Sequence, residues 1–243
     1  VQIGLISDIH GNLHALMTVL QTLDAADVDL ILCAGDLVCY GAHPNEVLGI
    51  LRKRELPSVV GNYDDAVAWN RSTASRKPSS PTTEPLKRAA LTWTQAQTTP
   101  QHVSYLRALP WSLIYRYDGL TIQLLHAGPD ALDEWISPDE PARLELLAAQ
   151  LRADVIVLGH THQPFTRVCG STLLINPGAV GRSLDGDTRA AYAIFDTETR
   201  QVNLQRINYD VDAAVRAITA SGMPAGIDLL LRHGARRLEE VLR

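Results

Sequence analysis

Sulfur and basic charge are both scarce in this chain. Only Cys33, Cys39 and Cys169 occur among 243 residues, and no two form a CxxC pair. A disulfide framework is excluded on that count. Cys33 lies in an apolar run and reads as a small buried hydrophobe, which suits a reducing compartment. Lys and Arg total 22 against 27 Asp and Glu, for a net charge of -5. No broad basic surface for extended nucleic acid is expected from that balance. No apolar stretch reaches the roughly 18 residues of a membrane span. Residues 1–7 carry no basic segment ahead of a long apolar one, so no leader is expected. The expectation is a cytoplasmic protein without a membrane partner, and the acidic balance is compatible with a homo-oligomer. What the chain does have is core material: a hydrophobic fraction of 46% is ample for one sizeable core.

The first third alternates strand and helix. Residues 2–7, 29–34 and 57–60 read as strands. Leu13, Leu16, Met17, Leu20 and Leu23 recur at helical spacing over 12–24, and a second helix opens at Pro44. That order predicts a mainly parallel sheet with helical crossovers. Residues 70–85, NRSTASRKPSSPTTEP, bury little and predict a flexible loop or lid. Helices are predicted over 84–97 and 102–109. Further on, 112–117 and 121–125 flank Asp118-Gly119, a hairpin signal. A helix over 138–152 precedes strands at 154–158, 164–168, 172–175, 190–196 and 201–207, whose short turns predict antiparallel pairing. Helices over 211–220 and 226–242 close the chain. No Pro/Gly linker divides it, so residues 1–243 are expected to form a single domain of mixed α/β class, two packed β-sheets flanked by helices.

Four short runs follow strand-like stretches: Asp8-Ile9-His10, Gly35-Asp36, Gly61-Asn62 and Gly159-His160-Thr161-His162. His126 follows TIQLL in the same manner. On extended backbone Asp8 and His10 point to one side and can share an ion, and His160 with His162 repeats the arrangement. Carboxylates with imidazoles suit Mn, Fe, Zn, Co or Ni rather than Ca or Mg.

The succession DIHGN, GD, GN, a His after a strand, and GHTH resembles the calcineurin-like metallophosphoesterases. GDLVCYGAHPNEV, NPGAVGR and YDVDAA resemble their small prokaryotic phosphodiesterase-like branch. The resemblance implies a four-layer sandwich with two divalent metal ions at one end. Asp8, His10 and His162 would hold one ion, and Asn62, His126 and His160 the other, with Asp36 bridging. It further implies hydrolysis of a phosphodiester by a hydroxide between the ions, on a small phosphate-ester or nucleotide substrate. A nucleotide or dinucleoside polyphosphate hydrolase is the alternative, and a non-catalytic scaffold on the same fold a more distant one.

The chain departs from that pattern once. Gly61-Asn62 continues with Tyr63-Asp64, where the family usually has His and an acid. A phenol, with an unperturbed pKa near 10, is a poor general acid near neutrality. Tyr63 and Asp64 are nevertheless carried as catalytic candidates with Asn62, whose amide nitrogen could also reach the phosphate. Asn12 is either a phosphate contact or the cap of the helix at 13. Arg182, after NPGAVG, is a candidate for neutralising a phosphate oxygen. Trp69, beside the loop, could stack on a base.

Overall fold

The computed structural model describes residues 1–77 and 80–242, so Pro78 and Ser79 of the expected lid lie outside the described residues. The chain opens with β1 (Gln2–Ile6), α1 (Leu13–Ala25), β2 (Leu30–Cys33) and α2 (Pro44–Lys53). Next come α3 (Asn62–Ala68), α4 (Thr83–Gln97) and α5 (Pro100–Ala108). Then follow β3 (Ser112–Tyr117), β4 (Leu120–Leu125), α6 (Pro141–Leu151), β5 (Val155–Val157), β6 (Phe165–Cys169) and β7 (Thr172–Asn176). The chain ends with β8 (Ala190–Asp196), β9 (Val202–Ile207), α7 (Val211–Ala220), α8 (Ile227–His233) and a 3-10 turn at Leu238–Glu240.

Two sheets form, in the orders β2-β1-β8-β9 and β3-β4-β5-β7-β6. Alternation along the strands sorts side chains into layers. Ile3, Leu5 and Phe195 from the first sheet meet Ile122, Leu124, Val155 and Val157 from the second. Ile6 faces the other way, onto Leu16 and Leu20 of α1 and Ile218 of α7. Ile156 and Leu174 turn outward under Leu144 and Leu147 of α6. The result is the expected mixed α/β sandwich: helices, sheet, sheet, helix. No helix among the described residues is long and apolar enough to cross a membrane.

Several local expectations need correction. Residues 57–60 make a single bridge, Cys33 with Ser58, rather than a strand. Pro57 brings no N–H to extend the ladder. In the second sheet, β5 pairs parallel with both β4 and β7, so that half is not uniformly antiparallel. α6 is the crossover that a parallel β4–β5 pair requires. The helix expected over 226–242 stops at His233, where Gly234 turns left-handed (φ 57°). α3, which the sequence reading passed over, starts directly at Asn62.

Candidate metal centre

The loops after β1, β2, β4 and β5 meet at one end of the sandwich together with the start of α3, which carries Asn62, and the candidate ligands lie there. Their backbone is not extended. Asp8 (φ 54°), His10 (49°), Asp36 (54°), His160 (66°) and His162 (58°) are all left-handed. The same-side argument for Asp8 and His10 therefore fails, although the two do face one cluster. Such a conformation costs an L-residue roughly 1–2 kcal/mol, and strain of this kind gathers at functional sites. Two glycines allow the loops to close up. A Cβ on Gly61 would lie 2.2 Å from the Asp36 amide nitrogen, and one on Gly159 would lie 2.0 Å from Ser7 Oγ.

Asp8, His10 and His162 form one group able to hold a metal ion, and Asp36, His126 and His160 form another. Each side chain is fixed through one polar atom and presents another. Asp8 accepts the His160 amide on Oδ2 (3.0 Å), while its buried Oδ1 has no hydrogen-bond partner. Asp36 accepts the Tyr63 amide on Oδ1 (2.8 Å) and turns Oδ2 to His10 Nε2 (3.6 Å) and His126 Nε2 (3.5 Å). His10 Nδ1 donates to the Val38 carbonyl (3.1 Å), His126 Nδ1 to Ala34 (2.7 Å), and His162 Nδ1 to Arg182. A carbonyl only accepts, so the proton of each neutral ring sits on Nδ1 and Nε2 offers a lone pair.

Those lone pairs face other acceptors. His10 Nε2 and His162 Nε2 are 3.1 Å apart, and Asp8 Oδ1 is 3.3 Å from His162 Nε2. Asn62 Oδ1 lies 2.9 Å from His126 Nε2; it is also 3.0 Å from His160 Nδ1, which no carbonyl fixes as an acceptor and which can donate to it. Acceptor facing acceptor is repulsive unless a cation lies between. Ligands each ~2.1 Å from one ion sit about 3 Å apart or slightly more, so the donor set fits a divalent metal.

Electrostatics agree. Burial opposes ionisation of Asp8, but His162 and the neighbouring rings hold it well below the usual carboxylate range. Burial pushes His10 and His160 down to about 4. Burial also resists charge on His126, yet Asp36 and Asp8 overcome it and raise the ring to about 9. Metal binding at His126 would displace that proton.

A cavity of about 570 Å³ opens over this end, lined by His10, Asp36, Asn62, Tyr63, His160, His162 and Arg182. Thr73, Ala74, Ser75 and Lys77 from the expected lid line it too. Tyr63 shares a short hydroxyl–hydroxyl hydrogen bond with Tyr40, and burial holds both phenols well above their ordinary range. The Arg182 guanidinium lies 4.5 Å over the Tyr40 ring. Tyr40 escaped the sequence reading, although it follows Asp36 by four residues in the quoted GDLVCYG run.

Three sequence candidates have some or all of their polar atoms committed to other partners. Asn62 Nδ2 donates to the Ala74 carbonyl (3.0 Å), so its nitrogen is committed and only the oxygen faces the cluster. Asp64 is fully buried and does not line the cavity. It accepts the Leu37, Val38 and Gly61 amides and ties the two glycine loops together, and burial with Asp36 beside it raises it to about 7. Asn12 also lies away from the cavity lining: it caps α1 through Ala15 N (3.1 Å) and donates to Gly181 O and Tyr209 OH. Trp69 is 56% exposed under Arg107, and it too lies outside the cavity lining.

Comparison with known proteins places this geometry in a family. An uncharacterized protein of Methanocaldococcus jannaschii is 31% identical over 239 residues, covering 91% of this chain and 93% of its own length. The crystal structure of a metallophosphoesterase from Sphaerobacter thermophilus is 30% identical with a TM-score of 0.79, covering 96% of this chain and 99% of that one. A hypothetical protein from Pyrococcus horikoshii has the same fold at 20% identity, TM-score 0.83, covering 96% and 98%. The family model for the calcineurin-like phosphoesterase superfamily domain matches residues 1–200, and the chain belongs to that superfamily.

Proposed function

We propose that this chain is a dinuclear, divalent-metal-dependent phosphoesterase that prefers phosphodiesters. The observation that carries the reading is the convergence of acceptor atoms, with Asp8 Oδ1 buried and unpartnered while three ring nitrogens are turned inward by backbone carbonyls. In this reading Asp8, His10 and His162 hold one ion, Asn62, His126 and His160 hold a second, and Asp36 Oδ2 serves both. Bound ions would supply a nucleophile from water at neutral pH and draw charge off the phosphoryl oxygens. Mn, Fe, Zn, Co and Ni all suit the donor set.

The chain's own residues do the rest. In the Tyr40–Tyr63 pair one hydroxyl is donated to the other, which leaves one phenolic proton for an anionic oxygen. Neither phenol gives up its proton near neutrality, so the pair holds the phosphate and does not protonate a leaving alkoxide. Aryl diesters should therefore react much faster than alkyl diesters; equal rates would sink this role. Arg182, stacked on Tyr40, balances charge on the phosphoryl group. In this reading the described residues 70–77 act as a lid, anchored through Ala74 on Asn62 and through Arg76 on Asp133.

The test is hydrolysis of bis(p-nitrophenyl) phosphate beside p-nitrophenyl phosphate, after chelation and reloading with Mn, alongside Asp36→Asn. Mn-dependent diester cleavage that disappears in the variant is the expected result. Preference for the monoester would replace the diester reading with a phosphatase. Turnover on neither ester, with metal bound, would favour a binding role.

A further inference from the structure

We infer that one wall of the cavity is a subsite for a second phosphate group, so that the substrate carries a phosphate on its non-scissile portion besides the ester at the metal centre. This rests on the phosphoesterase reading above and narrows its substrate class.

Three separate parts of the chain bring positive charge to this cavity: Lys87 from α4, Arg182 from the loop before β8, and Arg236 from the segment after α8. Lys77 and Arg237 line it as well, whereas several other cations at this end are already neutralised. Arg71 pairs with Asp65, Arg76 with Asp133, Arg88 with Glu84, and Arg143 with Glu134. Among the described residues, Lys87, Arg182 and Arg236 have no carboxylate within ion-pair distance. Arg182 is only 5% exposed; Nη2 donates to the Ala235 carbonyl (3.1 Å), and buried Nε has no partner. Buried charges are ordinarily paired. Burial and then the charge of Arg182 push Lys87 down to about 8; Glu84 opposes the shift, and Arg236 and Arg237 add to it. An anion is what this wall lacks.

The chemistry of the wall favours phosphate over a stacked base. Arg182 sits 4.5 Å over the Tyr40 ring and Arg236 sits 4.2 Å over the Trp135 ring, so each aromatic already carries a guanidinium. Stacking orients the guanidinium forks, which match phosphate oxygens bidentately. The anion they bind is not the scissile one alone. Trp135 makes an edge contact with the His160 ring at 5.8 Å and carries Arg236 on its ring, so the indole stands beside both. Arg182 spans both places: its carbonyl accepts from His162 and its guanidinium bonds the residue before Arg236.

The experiment has two arms. In the first, inorganic pyrophosphate is titrated calorimetrically into the full chain in excess chelator. Comparison proteins are Lys87→Gln/Arg236→Gln, the charge-keeping Lys87→Arg, and Arg216→Gln on the exposed face of α7. Binding without metal, weakened about tenfold or more in the Gln pair and retained in the other two, is expected from losing charge-assisted hydrogen bonds. Binding only after metal loading, or equal weakening in Arg216→Gln, overturns the subsite. In the second arm, the p-nitrophenyl ester of thymidine 5′-phosphate is compared with the same ester bearing a 3′-phosphate, on Mn-loaded protein. A kcat/KM gain of about tenfold from the 3′-phosphate, lost in the Gln pair, is expected. Hydrolysis of both esters without that gain overturns the assignment to substrate. Failure of the phosphoesterase reading itself would show differently: pyrophosphate would still bind metal-free protein while neither ester was cleaved.

Discussion

The strip between the sheets and the end of the same sandwich are equally buried, yet they are built on opposite terms. Phe195 and Asp8 are both at 0% exposure. Around Phe195 lie Ile3, Leu5, Ile122, Leu124 and Val157, all apolar and all placed by simple strand alternation. Burial there is favourable by itself, about 25 cal/mol per Å² of apolar surface. Around Asp8 lie His10, His162 and Asp36, on backbone forced left-handed. Burial there is unfavourable until an opposite charge arrives, since desolvating an ion costs several kcal/mol. One strand supplies both environments within a few residues: Leu5 belongs to the first and Asp8 to the second. The core stabilises the fold whether or not a ligand is present, and it offsets the strain at the strand ends.

Substitutions should separate the two regions. The largest effect on stability belongs to Phe195→Ala. Its urea midpoint should fall by the equivalent of about 3–5 kcal/mol, while turnover per folded, metal-loaded molecule is kept. Asp36→Asn should do the reverse. Turnover should drop about 10²–10³-fold, with a far smaller change in the midpoint of the metal-free protein. A midpoint loss as large as that of Phe195→Ala would make Asp36 a structural residue. Metal loading links the two. At a free metal concentration 100 times its Kd, the wild type should gain about 2.7 kcal/mol. Thermal melts should show that increment intact in Phe195→Ala and missing in Asp36→Asn.

What the sequence made legible follows the same division. β1, α1 and β2 announce themselves because apolar alternation and helical spacing are local signals. The candidate ligand positions are legible because an acid, imidazole or amide follows a strand-like apolar stretch in each run. α3 was missed because its seven residues are too short for periodicity; its one cue is Asp64 set to accept the Gly61 amide. The parallel pairing of β5 was missed because short turns around a three-residue strand pointed the other way. Left-handed φ at His10, His160 and His162 was missed because His, though several-fold enriched there, adopts that conformation too rarely for one residue type to announce it. The cationic wall is invisible in sequence for a plainer reason. Lys87, Arg182 and Arg236 lie far apart in the chain, and only folding brings them to one cavity.

The smallest expected effect tests where the site stops and the scaffold begins. Asn12 lies two residues from His10, close enough in sequence to suggest a phosphate contact. Its side chain is spent elsewhere: Oδ1 holds Ala15 N at 3.1 Å, and Nδ2 holds Gly181 O at 2.9 Å and Tyr209 OH at 3.1 Å. Asn12→Ala removes a helix cap and strips a donor from a buried carbonyl, which together should cost about 1–2 kcal/mol in the urea midpoint. Asn12→Asp keeps the cap oxygen but sets a carboxylate against the Gly181 carbonyl. It should therefore recover the part of the loss that belongs to the cap and none of the part that belongs to the donors. KM for bis(p-nitrophenyl) phosphate should hold in both variants. A raised KM at unchanged stability would instead move Asn12 from the scaffold into the site, and shift the boundary between the two regions by one turn of α1.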